Sequence, residues 1–282
     1  MERKTSHSEK FKHFVSPEIV EASGGHPVKI LLIGAGGNGG PMISGLARMH
    51  YALKALGHPG ISLSVIDGDS VGPENVGRQL FSEADVGRNK AECLVTRVNM
   101  FFGLRWTAYP LMFQKGHAAD VRESGARIVI TAVDNVATRE LVFRAVRGSR
   151  LYFMDLGNSK DTGQVILGTG SYIKQPKNHG ECIGHLPTVL DLFHDLRKEE
   201  KKTYQGPSCG VAEALRRQDL FINTAVSTYA LDLLWEAFKK GCLTDHGVFI
   251  NLATKRTNPL PISPTVWQQM GWNRAQKIDK AA

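Results

Sequence analysis

Short apolar runs alternate along this chain with longer segments whose apolar positions recur three and four residues apart. The strand-like runs are Val28 to Ile33, Ile61 to Ile66, Arg105 to Tyr109, Arg127 to Val133 and Leu151 to Asp155, and the segments between them have helical periodicity. That order predicts an α/β fold with a doubly wound, Rossmann-like, mainly parallel sheet and helices on both faces. After Asp155 the rhythm changes. Thr162 to Thr169 reads as an isolated strand, and the polar stretch that follows has no clear period, so residues 170–210 read as a crossover. Val211 to Lys240 reads as helical over much of its length, with Leu220, Ile222, Val226, Tyr229, Leu234 and Phe238 among its core positions. Val248 to Leu252 and Arg256 to Ile262 read as a hairpin, supplying C-terminal antiparallel strands. The division that follows is a flexible N-terminal arm at 1–26, a single domain at 27–262 and a tail at 263–282 carrying Trp267 and Trp272.

Composition changes this picture little. A chain of 282 residues that is 42% hydrophobic and 22% charged has ample material for one buried core. The formal charge of +8 suits an anionic ligand, nucleic acid or an acidic partner. Much of the excess lies in runs such as Arg3, Lys4, Lys10 and Lys12, or Arg197, Lys198, Lys201 and Lys202, which read as solvated surface before they read as a nucleic-acid footprint. Four cysteines in this length make no disulfide framework, and no apolar segment follows Met1, so the expected location is the cytoplasm. No window is apolar enough for a membrane span.

Candidate chemistry begins where the first strand runs into glycine. In Lys29-Ile-Leu-Leu-Ile-Gly-Ala-Gly-Gly-Asn-Gly39, the residues Gly34, Gly36 and Gly39 leave the backbone amides of the next helix open to a phosphate, whose charge meets the helix dipole. Such a turn serves dinucleotides more often than ATP, and sometimes serves only as a tight turn. Asp67, after the second strand, stands where a doubly wound fold sets a carboxylate against a ribose. Beyond it come Asn75, Arg78 and Gln79, then Asp85-Val-Gly-Arg-Asn-Lys90, then Asp134-Asn135 after the fourth strand. All of these fall at the carboxyl edge of the predicted sheet. Arg78 and Lys90 suit charge on a triphosphate, and Asp134 suits Mg²⁺, a hard cation that takes carboxylate and phosphate oxygens. Each residue has a structural alternative: Asp67 as a turn cap, Arg78 as a surface ion pair, Asp134 as an N-cap.

The ordered set of glycine turn, Asp67, Asn75-x-x-Arg78-Gln79, Asp85-x-Gly-x-x-Lys90 and Asp134-Asn135 resembles the ThiF, MoeB and ubiquitin-activating adenylyltransferase family. The resemblance covers Val28 to Gly168, with a weaker echo through Cys209 to Lys240. It implies ATP and Mg²⁺ as cofactors and, as the reaction, adenylation of the C-terminal glycine of a ubiquitin-like or sulfur-carrier protein. It also implies a homodimer and a catalytic set of Arg78, Lys90, Asp134 and Cys209. Asp67, Asn75, Gln79 and Asn135 would join the glycines in binding the nucleotide. The Gly-Arg-Gln-Leu-Phe segment and Glu213 to Asn223 look especially like the ThiF-type proteins of the PRTRC cassette.

Cys209, in Gly206-Pro207-Ser208-Cys209-Gly210 ahead of a helix, is the candidate for thioester or persulfide chemistry, against the plainer role of a small core residue. Relatives hold zinc with two Cys-x-x-Cys pairs, and this chain departs from that pattern. His179, Cys182 and His185 make half a site that only Cys242 or His246 would complete, so zinc is not expected. Asp69 and Arg139 are secondary candidates. Two other classes stay open: a nicotinamide-dependent oxidoreductase, and a non-catalytic nucleotide- or DNA-binding component of a plasmid-maintenance assembly.

Overall fold

A computed structural model of the chain describes residues 11–22, 25–177, 179–193, 213, 215–216 and 218–272. Five parallel strands form one half of the central sheet: β2 (Val28–Ile33), β3 (Ile61–Ile66), β4 (Thr107–Tyr109), β5 (Ile128–Thr131) and β6 (Tyr152–Asn158). Their spatial order is β6-β5-β2-β3-β4, so the chain winds outward from β2 in one direction and then from β5 in the other. The reversal lies between β2 and β5, which opens a crevice at their carboxyl ends. β2 and β5 are covered on both faces and read as near-continuous apolar runs, because each side chain meets core whichever way it points.

The other half is antiparallel. β7 (Thr162–Thr169) pairs with β6 on one side and with β9 (Asp245–Asn251) on the other, and β10 (Arg256–Pro261) closes the edge. The strand that reads as isolated in the sequence is thus central to the sheet. Its partner β9 lies some eighty residues downstream, beyond the reach of any local pattern. The expected hairpin is present as β9 and β10.

The helices carry the winding. α2 (Gly39–Ala55) follows the glycine turn, α3 (Lys90–Phe102) precedes β4, α4 (Ala118–Glu123) precedes β5 and α5 (Val136–Val146) joins β5 to β6. α6 (Val189–Leu192) is a single turn, α7 (Ile222–Lys240) packs on α2 and on β6, β7 and β9, and α8 (Pro264–Gln269) follows β10. Ile222, Val226, Leu234 and Phe238 of α7 are buried, whereas Leu220 and Tyr229 face outward. None of the helices among the described residues is long and apolar enough to cross a membrane.

Both ends of the described chain are more ordered than the sequence implies. The arm expected at 1–26 is docked from Phe11 onward: β1 (His13–Phe14) pairs antiparallel with β8 (Cys242–Leu243), and α1 (Pro17–Val20) buries Ile19 against α7. His13 is fully buried, its Nδ1 donating to the Ile183 carbonyl at 2.7 Å and its Nε2 accepting from the Tyr152 hydroxyl at 2.8 Å. In the expected tail, Trp267 and Trp272 pack into the core. The Trp267 indole donates to His246 Nε2 at 2.8 Å, leaving Nδ1–H for the Leu167 carbonyl. A polar composition conceals these few large apolar anchors, each of which contributes on the order of 2 kcal/mol on burial.

Candidate nucleotide site

The glycine turn sits at the topological switch point. Gly34 has φ +100°, and a Cβ there would lie 2.6 Å from the Ala132 carbonyl oxygen, so only glycine lets β2 turn beside the end of β5. A Cβ on Gly39 would run into the Gly34 carbonyl. Gly36 is different: its nearest neighbour is the Gln79 amide, 3.7 Å from where a Cβ would stand, so its bare backbone faces the opening rather than the core. The backbone ahead of α2, at Gly36 and Gly37, is part-exposed, and the α2 N-cap residue Asn38 makes no side-chain cap bond. Asn38 instead turns its amide to Asn158 Oδ1 at the end of β6, at 2.8 Å.

Asp67 is tied to this turn. Its Oδ2 accepts from the Ala35 amide at 2.6 Å and its Oδ1 from the Asp69 amide at 2.8 Å. Burial pushes its pKa above the ordinary carboxylate value, against the pull of those two amides and of Lys90. Lys90 opens α3 and forms an ion pair with Asp69 at 3.0 Å. Asn89, which the sequence reading passed over, caps α3 through the Glu92 amide at 3.0 Å and donates to the Asp67 and Asp69 carbonyls at 2.8 and 3.1 Å. An Asn just before an apolar-periodic run is an N-cap signal, so this one was readable. Asp69, a secondary candidate, thus works as the partner of Lys90. Asp85, the first residue of that motif, is buried and holds its own loop together through Ser82 and an ion pair with Arg97 at 2.7 Å.

The Asn75–Gln79 loop covers the other side. Asn75 is buried with its Oδ1 on the Gly72 amide at 2.9 Å, an anchor for the loop. Gln79 lies over Gly36, and its Oε1 is buried without a hydrogen-bond partner among the described residues. Arg78 is half-buried, and among the described residues its hydrogen bonds go to neutral acceptors: the Glu74 carbonyl from Nε at 3.4 Å and Gln218 Oε1 from Nη1 at 2.8 Å. Among the described residues it forms no ion pair, and desolvation lowers its pKa while Glu74 works the other way. Among the described residues this guanidinium has no carboxylate within ion-pair distance, and Glu74 acts on it only from farther off.

At the end of β5, Asn135 and not Asp134 caps α5, accepting from the Thr138 amide at 2.7 Å. Asp134 is exposed and makes no hydrogen bond or ion pair among the described residues. Its carboxylate is free for a ligand, and the cap alternative passes to its neighbour. Arg139 turns inward: its Nη2 donates to the Val133 and Leu156 carbonyls, and its Nε lies 3.4 Å from Asp155 Oδ1. This buried pair joins α5 to β6 beneath the site. Cys209 and Arg3 lie outside the described residues. Among the described residues no group of three or more His, Cys, Asp or Glu side chains is arranged to hold a metal. His246, proposed as a completing zinc ligand, has both ring nitrogens committed.

The chain matches the ThiF family over residues 26–266. No curated protein sequence matches it. Among solved structures it is similar to PaaA, at 15% identity and TM-score 0.58, covering 84% of this chain and 73% of that one. It is also similar to MccB of E. coli crystallised with ATP, at 16% identity and TM-score 0.56, covering 84% of this chain and 64% of that one, and to MccB with MccA at 17% identity, TM-score 0.56, covering 83% and 63%. The chain thus spans about two thirds of MccB, 63–68% across its structures, and at these identities the likeness is one of fold. With a match over most of its length, the chain belongs to the ThiF family.

Proposed function

We propose that this protein adenylates the C-terminal glycine of a ubiquitin-like or sulfur-carrier protein, using ATP and Mg²⁺. The observation that carries the reading is Arg78: a half-buried guanidinium without a carboxylate partner among the described residues, linked through Gln218 and Asn223 to the glycine turn at Gly37. MccB, similar in fold, has been crystallised with ATP.

In the proposed reaction a carboxylate oxygen of the terminal glycine bonds to the α-phosphorus of ATP, and the bond from that phosphorus to its β-bridging oxygen breaks. Pyrophosphate leaves with the electron pair, and the product is the acyl-adenylate. The amides of the glycine turn and the α2 dipole hold the phosphates, Asp67 takes the ribose, and Arg78 and Lys90 offset the charge that grows on the leaving group. Asn75 and Gln79 orient the loop and its phosphate contacts, and Asn135 sets the end of β5. The exposed carboxylate of Asp134 fits Mg²⁺, which binds through one or two carboxylates and keeps phosphate and water as its other ligands. When bound, Mg²⁺ supplies charge neutralisation across the phosphates. The same proposal includes a homodimer, a partner of the PRTRC type and a thioester or persulfide step at Cys209. Cys209→Ser then leaves adenylation intact and removes the covalent adduct.

Mg²⁺-dependent exchange of labelled pyrophosphate into ATP tests the reading directly. Exchange that requires a ubiquitin-like protein with its terminal glycine is the expected result. ATP binding without exchange, across carriers ending in glycine, overturns the carrier assignment. Asp134→Ala should abolish exchange with little change in melting temperature, and undiminished exchange removes Asp134 from its metal role.

A further inference from the structure

We infer that Gln218 is a positioning residue for Arg78, holding the guanidinium in place with a neutral acceptor so that its charge stays available to a nucleotide phosphate; this rests on the adenylation reading. The Gln218 amide oxygen receives two hydrogen bonds, from Arg78 Nη1 at 2.8 Å and from Asn223 Nδ2 at 3.1 Å. Asn223 is buried and packs directly over Gly37, where a Cβ would stand 2.6 Å from its amide nitrogen. Its side chain is therefore seated on the glycine turn and fixes the acceptor that Arg78 uses. The segment is also braced from below, since the Asp219 amide donates to the Lys160 carbonyl in the β6–β7 turn at 2.7 Å.

Chemistry explains the choice of an amide. A carboxylate at this position would hold the guanidinium at least as well but would cancel its charge, whereas an apolar residue of similar length would release it. The amide oxygen fixes direction and leaves the charge uncompensated. Lys90, by contrast, is already paired with Asp69. The link also joins the Asn75–Gln79 loop to the entrance of α7, two parts of the chain 140 residues apart.

The test is calorimetric titration of the full chain with ATP and Mg²⁺, alongside melting temperatures. Gln218→Met keeps side-chain length and loses the acceptor; its dissociation constant should rise five- to twentyfold, and this rise should vanish on the Arg78→Ala background. Gln218→Glu restores the acceptor and should keep the wild-type melting temperature, yet bind ATP at least as weakly as the Met variant. Equal losses with and without Arg78, or wild-type affinity in Gln218→Glu, overturn the inference while leaving the nucleotide site standing. A wild-type chain that does not bind ATP fails the adenylation reading itself, and the inference with it.

Discussion

The two halves of the sheet treat their polar groups in opposite ways. In the antiparallel half and the β1–β8 pair beside it, His13 and His246 are fully buried and every ring nitrogen is satisfied by a neutral partner, Ile183 and Tyr152 for one, Leu167 and Trp267 for the other. Burial depresses both pKa values from 6.5 to about 4, so these imidazoles are neutral structural parts. At the carboxyl edge of the parallel half, Arg78 lacks an ion-pair partner among the described residues, Asp134 stands exposed and Gln79 Oε1 is unmatched. Burying a polar group without a partner costs free energy, and these imidazoles avoid that cost with neutral partners. Arg78, Asp134 and Gln79 stand where a ligand can complete them.

Two arginines put this contrast to the test most severely. Arg139→Ala strands Asp155 in the core and should cost about 3–5 kcal/mol of stability, read by denaturant unfolding. Arg78→Ala should leave unfolding within about 0.5 kcal/mol of wild type while slowing pyrophosphate exchange by about 10²–10³-fold. If Arg78→Ala unfolded the protein, or Arg139→Ala silenced exchange in a fully stable chain, the division between charges matched in the core and charges left open at the edge would collapse.

Acid probes the antiparallel half alone. An unfolded histidine takes up a proton below pH 6.5, whereas these two resist protonation until about pH 4. Their contribution is thus complete above pH 6.5 and is lost as pH falls towards 4, by about 3 kcal/mol each. His246→Phe should flatten that part of the stability profile; a profile as steep as wild type would place the acid sensitivity elsewhere. The smallest effect is expected from Asn135→Ala, which removes the cap of α5 and should cost about 1 kcal/mol without changing the ATP dissociation constant by more than a few fold.

Much of the parallel half was legible. β2 and β3 fall on Val28–Ile33 and Ile61–Ile66 as read, because buried parallel strands are short apolar runs bounded by turn residues. The glycine turn and Asp67 were legible for the same reason, being fixed in spacing from strand ends. The antiparallel half was not. β7 looks isolated because its pairing with β9 is set by contacts some eighty residues apart, and the docking of residues 11–22 rests on a few buried anchors in a polar stretch. At the site, Asn135 rather than Asp134 became the helix cap, a choice between adjacent residues that propensity does not make.

From sequence alone came the order of strands and helices, the glycine turn and the kinds of side chain waiting at its edge, since each depends on residues within a turn or two of one another. Tertiary structure decided which charges are paired. Arg139 meets Asp155 in the core, Lys90 meets Asp69, and Arg78 meets Gln218 from the far side of the fold. Whether a charge is cancelled or kept depends on which group the folded chain brings within about 4 Å of it, and spacing along the chain does not specify that.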